Sequence, residues 1–128
     1  MGKGRQALGK WGEEKACEYI TRIGYRVLEA NYRCYVGEVD LIAEHGGTIV
    51  FIEVKTRRTT DYGAPAEAVN YRKQEKYFKL AVCYINEKHL ADSSCRFDII
   101  EILAPPHGEA IINHIPNAFQ VRNGSYSR

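Results

Sequence analysis

The sequence predicts an α/β domain with a central mixed β-sheet flanked by helices, in the element order α-β-β-β-α-β-β. Three observations predict it. An amphipathic helical period opens the chain. Three strand-like runs follow, two of them joined by Gly46-Gly47. A second helical period then separates these from two further strands. In a chain of 128 residues these elements make one domain, expected over residues 1–122, with a frayed tail expected at 123–128.

Each element rests on a local pattern. Leu8, Trp11, Ala16, Tyr19, Ile20 and Ile23 recur at helical spacing and Gly24 is placed as a C-cap, so a helix is predicted over 7–23. Residues 25–32 are aromatic and branched and read as a strand, with a turn at Cys34-Tyr35-Val36-Gly37. Residues 38–44 form a second strand, and Gly46-Gly47 is a strong hairpin signal into the most strand-like run, 48–56. A polar loop is expected over 57–64. Pro65 fits a first helical position, so a long helix is predicted from there to about Asn86, carried by Val69, Phe78, Leu80, Ala81 and Ile85. Strands over 96–103 and 110–115 complete the sheet, separated by the breaker Pro105-Pro106.

Composition narrows the class. Hydrophobic residues at 45% and charged residues at 27% suit a globular domain rather than a disordered chain. The longest apolar run, residues 80–85, is far short of the roughly 20 residues a membrane helix needs. No apolar run follows the basic start Met1-Gly2-Lys3-Gly4-Arg5, so the expected location is the cytoplasm, with no membrane partner. Cys17, Cys34, Cys83 and Cys95 form no C-x-x-C pair and read as reduced, mostly packed thiols rather than a zinc site. Charge is segregated: residues 37–70 carry six acids against three bases, while residues 1–36 (seven bases, four acids) and 71–90 (five bases, two acids) are basic. Solvated faces and a cation site within a phosphate-attracting surface both fit that pattern.

Side chains alternate across a strand, so Glu38 and Asp40 are expected on one face, with Val39 and Leu41 opposite, and Glu53 and Lys55 on one face of the next strand. If the Gly46-Gly47 hairpin pairs these strands, three carboxylates and one ammonium crowd one patch. Like charges raise each other's pKa unless a cation neutralises them, and a hard ion such as Mg²⁺ does so through oxygen ligands. The alternative is a solvent-facing polar face with a Glu–Lys pair. Two details favour the site: the apolar run 51–54 looks central in its sheet, where stray charges are costly, and Glu13 falls about 140° from Leu8 on a helical wheel, at the border of the buried stripe.

These residues resemble a known pattern. Asp40 followed by Glu53-Val54-Lys55, with a Gly-Gly turn between, resembles the D…(D/E)-x-K motif of the restriction-endonuclease-like nucleases. More closely, Gly12-Glu13, Gly24-Tyr25, Asn31-Tyr32-Arg33, Gly37-Glu38-Val39-Asp40-Leu41-Ile42-Ala43, Phe51-Ile52-Glu53-Val54-Lys55-Thr56-Arg57, Arg96-Phe97-Asp98 and Ala118-Phe119 resemble the YraN-type family, itself regarded as similar to archaeal Holliday-junction resolvases. The resemblance covers residues 9–119. It implies a restriction-endonuclease-like core and hydrolysis of DNA phosphodiester bonds, with branched or structured DNA as the substrate. It implies Asp40 and Glu53 as ligands of Mg²⁺ or Mn²⁺ with the Val54 carbonyl, Glu13 as the helix carboxylate of the site and a further metal ligand, and Lys55 as the lysine that positions or activates the attacking water. Glu38 lies outside the minimal motif; a further metal-ligand position and a pair with Arg57 both stay open.

Arg33, Arg57, Arg58, Arg72, Lys73 and Lys76 are the basic residues placed to meet phosphate, with plain surface charge as the alternative for each. Tyr32 and Tyr35 either stack on bases or pack. Gln74 and Phe78 only faintly echo the Q-x-x-x-Y of RecB-like nucleases. His45, His89, His107 and His114 have no partner at ligand spacing and are assigned no catalytic role. Two functions follow: a metal-dependent endonuclease, for which a homodimer is an open expectation because two strands need cutting, or a nucleic-acid-binding protein with the same fold and no activity of its own.

Overall fold

The computed structural model describes residues 4–58 and 69–120. Helix α1 (Gly4–Arg22) is followed by β1 (Arg26–Cys34), β2 (Gly37–His45) and β3 (Thr48–Arg58), then α2 (Tyr71–Glu87), β4 (Ser94–Ala104) and β5 (Ile111–Phe119). The element order is the predicted one. The five strands form one mixed sheet in the order β1-β2-β3-β4-β5. Neighbours are antiparallel except β3 and β4, which run parallel because α2 carries the chain back across the sheet.

Each helix covers one face. On the α1 side, Ala16 and Ile20 pack on Leu41, Ala43, Val50, Ile52, Ile100 and Ile102. On the α2 side, Tyr77, Leu80, Ala81 and Tyr84 pack on Val39, Ile42, Phe51 and Phe97. With both faces covered, central strands read as continuous apolar runs, and residues 49–52 are buried without a break. Burying each such side chain contributes roughly 1.5–3 kcal/mol, which is why the middle of β3 tolerates charge only where it has a use. The β2–β3 turn needs positive φ at both central residues, and Gly46 and Gly47 supply 58° and 83°.

Several boundaries move. Helix α2 starts at Tyr71, because Asn70 is extended (φ −73°, ψ 167°) and its side chain accepts the Lys73 N–H as an N-cap. Val69 and Asn70 are therefore not helical, and the Pro65 start lies outside the described residues, as does the tail from Asn123. β3 runs on to Arg58, in register with β4 to Ala104, so Arg57 and Arg58 sit on a strand rather than in a loop. β5 extends to Phe119, which stacks on Phe97 at a centroid distance of 5.0 Å. The four cysteines are unpaired, and Cys95 is exposed rather than packed.

Candidate active site at a fork in the sheet

The site begins where two strands part. The β2–β3 ladder runs from His45↔Thr48 to Leu41↔Ile52 and stops there. Beyond it β2 stays paired with β1 to Gly37, and β3 stays paired with β4 to Arg58. Asp40 is the first residue of β2 past the last rung. Its Oδ2 accepts the Val54 N–H at 2.8 Å, so a side chain takes the place of the missing ladder partner. A strand residue offers its N–H and C=O to the same neighbour, so the Val54 carbonyl faces the fork as well.

Simple alternation fails at this level. Val39 packs in the α2-side cluster and Leu41 in the α1-side cluster, so the two do not share a face as the sequence pattern predicts. In the paired strand β1, Asn31 adopts left-handed backbone, φ 54°, a conformation asparagine tolerates better than most residues. Both strands thus change faces together, and Asp40 turns to the α1 side. There it lines a cleft of about 480 Å³ with Leu8, Gly9, Glu13, Val54, Thr56 and Arg58.

Glu13 reaches this cleft because its neighbour is glycine. A Cβ on Gly12 would lie 1.8 Å from Thr56 Oγ1, so only glycine lets α1 lie this close to β3. The Glu13 carboxylate accepts from Asn31 Nδ2 at 3.2 Å, as its border position on the helical wheel allows.

Glu53 lies on the other side of the fork. It is 7% exposed. Oε2 pairs with Lys73 Nζ at 2.7 Å, while Oε1 is buried with no hydrogen-bond partner among the described residues. An orphaned carboxylate oxygen in an interior is costly unless something else satisfies it. Lys55 shares the Glu53 face by alternation and is half-buried; it makes no ion pair among the described residues. Its cross-strand neighbour Glu101 is held instead by Arg57, whose Nε donates to Glu101 Oε2 at 2.7 Å.

The carboxylates feel one another across the fork. Burial pushes the Asp40 carboxyl up to about 7, with the Val54 N–H opposing and Glu13, Glu53 and Glu38 adding to the rise. The buried Tyr77 phenol is pushed well above its ordinary value, first by burial and then by Glu53, Asp40, Glu38 and Glu13. Glu38 pairs with Arg33 at 3.7 Å and not with Arg57. Among the described residues no three His, Cys, Asp or Glu side chains form a ready-made metal cage.

The remaining basic residues divide by location. Arg33, Arg58, Arg72, Lys73 and Lys76 are exposed, and Arg57 is half-buried in its pair with Glu101. Tyr32 is buried with its hydroxyl donating to Glu87 at 2.7 Å, which removes it from base stacking, whereas Tyr35 is 92% exposed.

The model of the uncharacterised protein family UPF0102 matches residues 12–102. The chain belongs to the UPF0102 family. A UPF0102 protein of Trichlorobacter lovleyi is 46% identical over 122 residues, covering 94% of this chain and 96% of its own. One from Desulforamulus reducens is 47% identical over 117 residues (89% and 96%), and one from Geobacter sulfurreducens is 44% identical over 114 residues, 89% of each chain. This is the YraN-type family that the sequence blocks resemble.

Sequence reasoning missed part of this UPF0102 architecture. Asn31 is visible as an asparagine inside a strand-like run, where that residue is depleted, but its pairing with Glu13 is not. A buried network around Asp98 also went unread. Asp98 is fully buried; its Oδ1 accepts from Arg96 Nε (2.9 Å) and from the Asn117 N–H (2.9 Å), and its Oδ2 faces His114 Nε2 at 2.8 Å. Tyr19 hydroxyl meets His114 Nδ1 at 2.9 Å. His114 therefore has partners that sequence spacing did not show. Burial pushes Asp98 up, but His114, Arg96 and the Asn117 N–H outweigh it and hold the carboxyl below its ordinary range. The network ties β4, β5 and the end of α1 together, with Asp98 beside Ile52 on the neighbouring strand.

Proposed function

We propose that the protein is a metal-dependent endonuclease that hydrolyses phosphodiester bonds in branched or structured DNA. The observation that carries this reading is the fork, which sets Asp40 between Glu13 and Glu53 and leaves Glu53 Oε1 buried without a partner among the described residues. The donor set suits Mg²⁺ or Mn²⁺: two carboxylates, Asp40 and Glu53, and a carbonyl, Val54, are all hard oxygens. Mg²⁺ characteristically binds through one or two carboxylates and fills its remaining positions with water and phosphate oxygens, so a three-carboxylate cage is not required. When bound, such an ion polarises the phosphate and lowers the pKa of a coordinated water.

The chain's own groups do the rest. Asp40 and Glu53 hold the ion, and release of the Asp40 proton couples ion binding to pH. Glu13, fixed by Asn31, holds a water in the cleft from the α1 side. Lys55 offsets phosphate charge and orients the attacking water. Arg58, on the cleft rim, and Arg33, Arg72 and Lys76 hold the flanking phosphates.

One observation favours a second reading. Lys73 neutralises Glu53 without a metal, as expected of a nucleic-acid-binding protein with this fold and no activity of its own. The test is cleavage of single-stranded, duplex, flap and four-way-junction DNA with Mg²⁺ and Mn²⁺, with Glu53→Gln and Lys55→Ala alongside. A nuclease cuts, and loses about 10²-fold or more in rate in either variant. Absence of cleavage on every substrate, with DNA still bound, overturns the catalytic reading in favour of the second.

A further inference from the structure

The β1–β2 hairpin ends in an aromatic that the core does not use. Tyr35 is 92% exposed at the tip, the most exposed large hydrophobic side chain of the described residues. Its hydroxyl approaches the Cys83 thiol on α2, while the ring stays open to solvent. Lys76 lies over the same hairpin: a Cβ on Gly37 would stand 2.6 Å from Lys76 Cε.

Arg72, Lys76, Lys79 and Cys83 follow one another at steps of four, three and four residues, which at about 100° per residue keeps them within roughly 60° of arc on the helix. Arg72, Lys76 and Lys79 are all exposed. Glu75, the acidic residue nearby, falls about 70° to one side of that line. Lys73 projects on the opposite flank and meets Glu53 at 2.7 Å. The cations span about 10 Å along the axis at 1.5 Å per residue. An aromatic tip, a row of three cations and the Glu53 carboxylate thus lie in sequence along α2.

We propose that this row is a track for an unpaired DNA strand: Tyr35 stacks on a base and Arg72, Lys76 and Lys79 follow the backbone towards the fork. Stacking platforms combined with a cationic path are how proteins hold single strands without reading their sequence. The proposal deepens the nuclease reading and rests on it for what happens at the fork. It names the feature of branched DNA that the protein recognises, the unpaired segment beside the branch.

Binding of oligo-dT and of a blunt duplex, measured by fluorescence anisotropy over a salt series, tests the track. Tyr35→Ala should weaken oligo-dT binding about 10-fold and leave duplex binding unchanged, and Tyr35→Trp should restore it with quenching of the new indole on binding. The triple variant Arg72→Gln, Lys76→Gln, Lys79→Gln should lower the salt slope for oligo-dT by about two. Equal losses on both DNAs from Tyr35→Ala, or none on oligo-dT from either variant, overturn the track. The binding arms need no cleavage. Tyr35-dependent oligo-dT binding without cleavage of any substrate supports the track and sinks the nuclease reading. Cleavage with oligo-dT binding indifferent to Tyr35 and the three cations does the reverse.

Discussion

Replacing Gly12 with alanine puts a methyl group where α1 crosses β3. The new Cβ would stand 1.8 Å from Thr56 Oγ1, 2.7 Å from its Cγ2 and 2.8 Å from its Cβ. Carbon atoms pack comfortably at about 3.5–4 Å, and turning Thr56 to another rotamer leaves its Cβ in place, so the helix itself must retreat. Overpacking of this kind costs about 1–3 kcal/mol, against about 1 kcal/mol gained from the better helix propensity of alanine. Gly12→Ala should therefore be destabilised by up to about 2 kcal/mol in urea unfolding. Pairing it with Thr56→Gly removes all three obstructing atoms, so the double-mutant cycle should return a coupling of about 2 kcal/mol in favour of the pair. The retreat also pulls Glu13 from Asn31, so under the proposed nuclease function cleavage should fall more than stability alone explains. A Gly12→Ala protein about 1 kcal/mol more stable than wild type, as propensity alone dictates, would refute the close packing and the placement of Glu13 that depends on it.

Three further outcomes follow from the geometry. Asp40 keeps its proton to about 7 when folded but releases it near 4 when unfolded, so in chelator the wild type should lose about 2–4 kcal/mol of stability as pH rises between those values. Asp40→Asn should flatten that dependence and exceed wild type above pH 7, and urea midpoints that fall equally in both proteins would contradict it. Asp98 has the opposite sign, since its folded carboxyl titrates below the ordinary value of 3.8: its contribution is present above that value and lost as pH falls further. Asp98→Asn should cost about 3–5 kcal/mol at neutral pH, with the gap to wild type closing in acid; a gap that does not depend on pH would assign the loss to packing. Lys73→Met strips Glu53 of its one ion-pair partner among the described residues and should cost about 1 kcal/mol. Mn²⁺ should then raise the Tm of that variant more than it raises that of wild type, and equal shifts would mean that Lys73 and the metal do not compete for Glu53.

The sequence by itself determined the element order, the Gly-Gly hairpin, the central position of β3 and the candidates Glu13, Asp40, Glu53 and Lys55, because periodicity and turn chemistry are local. It also carried the family, since the blocks around Asp40 and Glu53 are contiguous. Only the tertiary structure decided how those candidates meet. Strand alternation predicts one flat patch, but the ladder ends at Leu41↔Ile52 and Asn31 turns its strand over. Asp40 and Glu53 therefore approach the fork from opposite sides. Which base answers which acid was equally hidden: Arg57 goes to Glu101, Lys73 to Glu53 and Arg33 to Glu38. His114 gained partners only when β5 was laid beside β4. Each of these joins residues distant in the chain or a strand irregularity, and a period of two or of 3.6 residues describes neither.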